Sequence, residues 1–238
     1  MHHAGLRGFK HTEHLFFSAI NLKEVTVVFN GEVDKASAEL VSNYRLAGGS
    51  FSKAELQKDG KTVILTVSGN FTNNTSQKLT VSNVKDKATE KTVESKETTF
   101  TASDLAIPDV EAVTSKSATV IEVKFTEPLN VAPVAAQFKL DGAALPAGPP
   151  AATLAPTTVG AKTITITLPA ANALTVGEHK LIVNADNTLV DYAGYRVPVK
   201  EIKFNVETDT TVPVVDSVEV KDRTEVVVKF NKEMNATT

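Results

Sequence analysis

Histidine is the side chain that titrates near neutral pH without help from its surroundings, and this chain holds five histidines and no cysteine,. His2, His3, His11 and His14 fall in the opening stretch MHHAGLRGFKHTEH, which has no strand period and reads as a leader or tag-like segment over residues 1–14,. His179 stands alone, at the start of a predicted strand. No serine elbow of the G-x-S-x-G type lies in the chain, so the reading is a strand-edge surface residue,. The P-loop, the H-E-x-x-H helix and the dinucleotide-binding glycine run are absent from the sequence,. Without cysteine there are no thiolate zinc sites and no disulfides,. No catalytic residue is assigned, and no enzyme is expected.

Carboxylates are the remaining chemistry. Most alternate with lysines on strand faces, as in VESKET and VEVKDR, the pattern of a solvated surface,. A smaller set collects where strands end. Asp104, Asp109, Glu207, Asp209 and Asp216 flank two Pro-containing joints, and NADNTLVDYAG (residues 184–194) adds Asp186 and Asp191. Oxygen-rich turns of this kind suit a hard cation such as calcium. Asp is also a turn residue in its own right, and no twelve-residue calcium loop is present. The pattern suits calcium without fixing its ligands, and no other cofactor is expected. The sequons Asn70-Phe71-Thr72 and Asn73-Asn74-Thr75 read as an Asn/Thr turn.

The elements that must position these groups come from a repeat. EVTVVFNGEVDKAS (24–37), VIEVKFTEPLNVAP (120–133) and EVVVKFNKEMNATT (225–238) share alternating Val/Ile closing on Phe, then a turn with an acidic and an apolar residue. Phe29 to Phe125, and Phe125 to Phe230, are each about a hundred residues apart,. SNYRLAGG matches AAQFKLDG, KTVILTV (61–67) matches KTITITL (162–168), and QKLTVSNV matches HKLIVNAD. Strands about ten residues apart, separated by Gly, Asn, Asp and Pro, predict an all-β sandwich. The expected order is one module over 15–103, a second over 104–208 and the start of a third over 209–238.

Pro108 and Pro213 make the joints TASDLAIPDVEAV and ETDTTVPVVDSVEV stiff and extended,, so the modules are expected end to end. KASAELV and VAPVAAQ read as connectors with one helical turn. DGAALPAGPPAATLAPTT (141–158) has no strand period and predicts a long surface loop,.

The net charge of −3 and 42% hydrophobic content fit a packed core and argue against nucleic acid as a partner,. No apolar run approaches a transmembrane length, so no membrane insertion is expected. Aromatic residues make up 6% with no Trp, which weakens a sugar-stacking surface.

NLKEVTVVFNGEVD, SATVIEVKFTEPLN and DRTEVVVKFNKEMN resemble the opening of bacterial Ig-like modules. DYAGYRV (191–197) is similar to the family's Asp-x-Ala-Gly-Asn turn, with Tyr195 where Asn is usual, and DTTVPVVDSV resembles its inter-module joint. Arrays of such modules are typical of the surface-layer proteins of Gram-positive bacilli. The resemblance implies tandem Ig-like β-sandwich modules at the bacterial cell surface or cell wall. It implies a structural role in a self-assembling lattice, with this stretch alone monomeric. An adhesin stalk or an accessory binding module of a secreted protein is the alternative.

Overall fold

The computed structural model describes residues 14–207, 213–221 and 225–231. The leader reading over residues 1–13, and Asp209 of the second joint, lie outside the described residues.

The first half folds as β1 (His14–Ser18), β2 (Glu24–Phe29), a short helix α1 (Lys35–Ala38), β3 (Tyr44–Leu46), β4 (Phe51–Leu56), β5 (Thr62–Val67), β6 (Thr75–Val81) and β7 (Lys96–Ala102). The second half runs β8 (Val110–Ser117), β9 (Val120–Phe125), β10 (Phe138–Leu140), β11 (Ala143–Ala144), β12 (Thr153–Ala155), β13 (Thr163–Thr167), β14 (Gly177–Val183) and β15 (Lys200–Val206). The hairpin β16 (Val215–Val220) and β17 (Val226–Phe230) follows.

The sheets are antiparallel and come in matched pairs. The first half builds β1-β2-β5-β4 and β3-β6-β7; the second builds β8-β9-β13-β12 and β11-β10-β14-β15. Period-2 patterning explains the layers. In β2, Val25, Val27 and Phe29 turn inward while Glu24, Thr26 and Val28 face out; in β9, Ile121, Val123 and Phe125 do the same. Each pair of sheets closes on its own apolar cluster, one drawn from Ala19 through Ala102 and the other from Val110 through Val206. These are tandem Ig-like β-sandwiches, as the sequence predicts. KTVILTV and KTITITL take the same place in each, as the strands β5 and β13 beside β2 and β9.

Local chemistry fixes the turns. The aromatic-basic-Leu element becomes β3 and β10, each followed by a glycine with positive φ, Gly48 at 78° and Gly142 at 82°, a conformation that favours residues without a Cβ. The connectors hold α1, N-capped by the Asp34 carboxylate on the Ser37 N–H at 2.8 Å, and a 3₁₀ turn at Ala135–Gln137,.

Two expectations change. The Ala/Pro-rich segment 141–158 is not strandless: it carries β11 and β12, and its counterpart in the first sandwich is the edge strand β4. Proline supplies no ladder N–H, so Pro149, Pro150 and Pro156 confine strand pairing there to a few residues at the sheet edge,. His179 is more covered than the sequence suggests. It sits near the start of β14, paired with Phe204 of β15 and beyond the residues that β10 pairs, with its side chain 12% exposed and its ring 6.0 Å from that of Phe204.

Candidate metal centre at the joint

The joint after β7, from Ser103 to Asp109, is neither helix nor strand, and Pro108 in it is buried. It is held to the first sandwich by a side chain from the Asn/Thr turn. The Asn73 amide donates to the Asp104 carbonyl at 2.9 Å, and the Asp104 N–H donates to Asn73 Oδ1 at 2.9 Å. Asn74, in the left-handed region at φ 59°, turns the chain, and its Oδ1 accepts the Ser103 hydroxyl at 2.9 Å. The sequon-like pattern is therefore a structural clamp, consistent with the turn reading.

That clamp delivers the Asp104 side chain to two carboxylates of the second sandwich. Glu127 lies in the turn after β9. Asp191 opens the DYAG turn, where its Oδ1 accepts the N–H groups of Ala193 and Tyr195, each at 2.8 Å. A bridge between Leu129 and Asp191 holds the two turns together. The three residues are 0%, 5% and 1% exposed in the order Asp104, Glu127, Asp191, and each contributes a ligand atom within 4.8 Å of the others.

Hydrogen bonding sets this cluster apart. The other buried polar side chains are satisfied. Asn184 bridges Val197 and Leu189, Gln137 bonds Val134 and Thr188, and Asn43 reaches Ser37. Among the described residues, the buried side-chain oxygens without a partner are Asp104 Oδ2, Glu127 Oε2 and Asp191 Oδ2. All three belong to one cluster, and no lysine or arginine among the described residues forms an ion pair with any of them. The nearest positive influence is Lys162, which is paired with Glu24 at 3.2 Å across the joint.

Three ionised carboxylates cannot stand there unaided. At this spacing each pair repels by about 3–4 kcal/mol at an effective dielectric near 20,. Burial, then the neighbouring Asp104 and Asp191 charges, push the Glu127 carboxyl up to about 8. Burial and the Asp191 charge raise Asp104 as well. The donor set is oxygen only, with no imidazole or thiolate. It fits a hard divalent cation, since opposed oxygens on a calcium ion lie up to about 4.8 Å apart at ordinary bond lengths.

The other joint acids are spent differently. Asp109 pairs with Lys200 at 2.8 Å, Asp186 caps its own turn through Thr188, and Glu207 and Asp216 are exposed. The sequence pointed to Asp104 and Asp191 among several acids but not to Glu127, which reads as one more turn residue in TEPLN. Its available signal is its place two residues after the buried Phe125, in the turn that precedes the buried Leu129. A groove of about 640 Å³ lies between the sandwiches, but its lysines are answered by glutamates: Lys162 by Glu24, Lys124 by Glu111 and Lys53 by Glu55. His179 is held between Asp141 at 2.7 Å and the Thr175 carbonyl at 2.9 Å, within its own sandwich and apart from the carboxylate cluster.

A surface-layer 125 kDa protein of Lysinibacillus sphaericus is 36% identical to this chain over 202 residues, 83% of its length. Over most of its length the chain is similar to part of a bacterial surface-layer protein. An outer cell wall protein of Brevibacillus brevis is 32% identical over 218 residues, 91% of the chain. The chain spans 16% and 20% of the length of these two relatives. No protein-family model matches the chain. Among solved structures, domains 1–6 of the surface layer protein SbsC are similar at a TM-score of 0.47 and 17% identity, covering 89% of this chain and 28% of that one. No helix among the described residues is long and apolar enough to cross a membrane.

Proposed function

We propose that this chain is a structural segment of a self-assembling surface layer on a bacterial cell wall. Its sandwiches act as spacers and contact surfaces rather than as catalysts. The observation that carries this is the 36% identity with a surface-layer protein along 202 residues. Two matched sandwiches in series are the architecture such a spacer requires. The module boundaries follow the repeat: 15–103, 104–208, and a third module opened by the β16–β17 hairpin. In the whole protein, lattice growth needs heterologous contacts that repeat without closing. This segment alone is a monomer.

Electron microscopy of the whole parent protein tests the reading. A regular two-dimensional lattice on cell-wall fragments is expected. Dispersed rods that bind a glycan or a host protein would overturn it in favour of an adhesin stalk or an accessory binding module.

A further inference from the structure

We propose that Asp104, Glu127 and Asp191 form a calcium-class cation site that staples the two sandwiches together. The site goes beyond the surface-layer reading and does not depend on it, because binding is measured on this chain alone.

The argument rests on where each ligand is anchored. Asp104 leaves the first sandwich only two residues after β7, and the paired Asn73 hydrogen bonds fix its backbone to that sandwich. Glu127 and Asp191 belong to the second sandwich, on adjacent turns joined through Leu129. An ion bound by all three thus ties the two apolar cores together across the joint. Each carboxylate keeps one oxygen unpartnered and buried, while Asp104 Oδ1 is engaged with the Ala106 N–H at 3.2 Å and Asp191 Oδ1 with its own turn. The backbone satisfies the oxygens that shape the turns and leaves free the ones that converge.

Three carboxylates bring three negative charges, enough to outweigh the double charge of the ion. Calcium accepts six to eight oxygens, so carbonyls and waters complete the shell. Magnesium, which holds its waters and demands octahedral geometry, is the weaker fit for a cluster this dry.

The contacts already present across the joint do not replace the ion. Tyr192 and Ala193 pack on the first core, Lys23 Nζ lies 5.2 Å from the centre of the Tyr192 ring, and Lys162 meets Glu24. They set the approach of the two sandwiches and leave the like charges beneath unanswered. The joint should therefore be stiff with the ion and looser without it.

The test is calorimetric titration of the chelator-treated chain with calcium chloride, repeated with magnesium chloride. One calcium per chain is expected, at a Kd of about 10⁻⁴–10⁻³ M, the range of extracellular modules. Glu127 shares a hydrogen bond with Asp104; Glu127→Gln keeps a donor for it while removing a charged ligand, and is expected to weaken calcium by about tenfold or more. Asp109→Asn, at the same joint but paired with Lys200, is the control and should bind as the parent does. Small-angle scattering should show the distribution of inter-sandwich distances narrowing on calcium for the parent and not for Glu127→Gln. No saturable calcium binding up to about 10 mM, or unchanged binding by a folded Glu127→Gln protein, would overturn the proposal. A chain that binds calcium as expected while its parent forms no lattice would leave the site standing and remove only the surface-layer reading.

Discussion

Asn73 and Asp104 hold each other through two reciprocal hydrogen bonds of 2.9 Å, side-chain amide to backbone carbonyl and backbone amide to side-chain oxygen. The pair makes the start of the joint part of the first sandwich rather than a free linker. Asn73→Ala removes both bonds, each contributing about 0.5–1.5 kcal/mol. The expected result is looser placement of Asp104 with both cores intact: calcium affinity falls, by about tenfold, while far-ultraviolet dichroism is unchanged. Titration calorimetry checks it, and an affinity equal to the parent's would remove the positioning role.

Phe29 and Phe125 are the same residue of the repeat, each almost fully buried in its own cluster. Replacing either with Ala leaves a cavity and costs about 3–5 kcal/mol. The loss of amide hydrogen-exchange protection should stay largely within one sandwich, residues 19–102 for Phe29→Ala and 110–206 for Phe125→Ala. Equal loss throughout from either variant would mean that the two cores form one cooperative unit.

Much of this was legible before any coordinates. The alternation in EVTVVF and VIEVKF fixes which side chains turn inward, and the repeat places β5 and β13 in matching positions, because period-2 patterning and β-branched residues report a half-buried sheet directly. The short edge strands in 141–158 were not legible, since pairing at a proline-bounded edge leaves no hydrophobic period. The strand start at His179 is legible but its cover is not: a polar residue there reads as exposed until Asp141 and Phe204 are seen to flank it. The carboxylate cluster was half legible. Asp104 and Asp191 announced themselves by their turns, but Glu127 joins them only through the packing of one sandwich on the other, which has no local signature.

The His179–Asp141 pair gives a pH dependence. The Asp141 hydrogen bond, opposed by burial and helped by the Thr175 carbonyl, raises the His179 pKa. Burial alone would raise Asp141, but the His179 hydrogen bond and the Lys180 N–H outweigh it and lower it. A raised histidine contributes stability that is full below its unfolded value of about 6.5 and is lost as pH climbs through the raised folded value. The lowered Asp141 loses its share only as pH falls through a value below the ordinary aspartate range. Asp141→Asn should therefore lower the melting temperature more at about pH 5.5 than at about pH 8.5. Thermal melts at the two pH values check this, and a difference independent of pH would contradict it.

The β16–β17 hairpin leaves Val215, Val218, Val220, Val226, Val228 and Phe230 exposed, and none of its residues joins either core. Buried area carries stability, so removing residues 213–238 should shift the melting temperature by less than about 2 °C. Differential scanning calorimetry decides it, and a fall of several degrees would show the hairpin packed on the second sandwich.

The most direct measurement is a crystal structure of this chain grown in calcium chloride, with anomalous scattering used to locate the ion. The account predicts one peak within about 2.3–2.6 Å of oxygens from Asp104, Glu127 and Asp191 together, with both sandwiches ordered about it. Density showing the three carboxyl groups bonded to one another with no ion between them, or separated by solvent across an open joint, would contradict it.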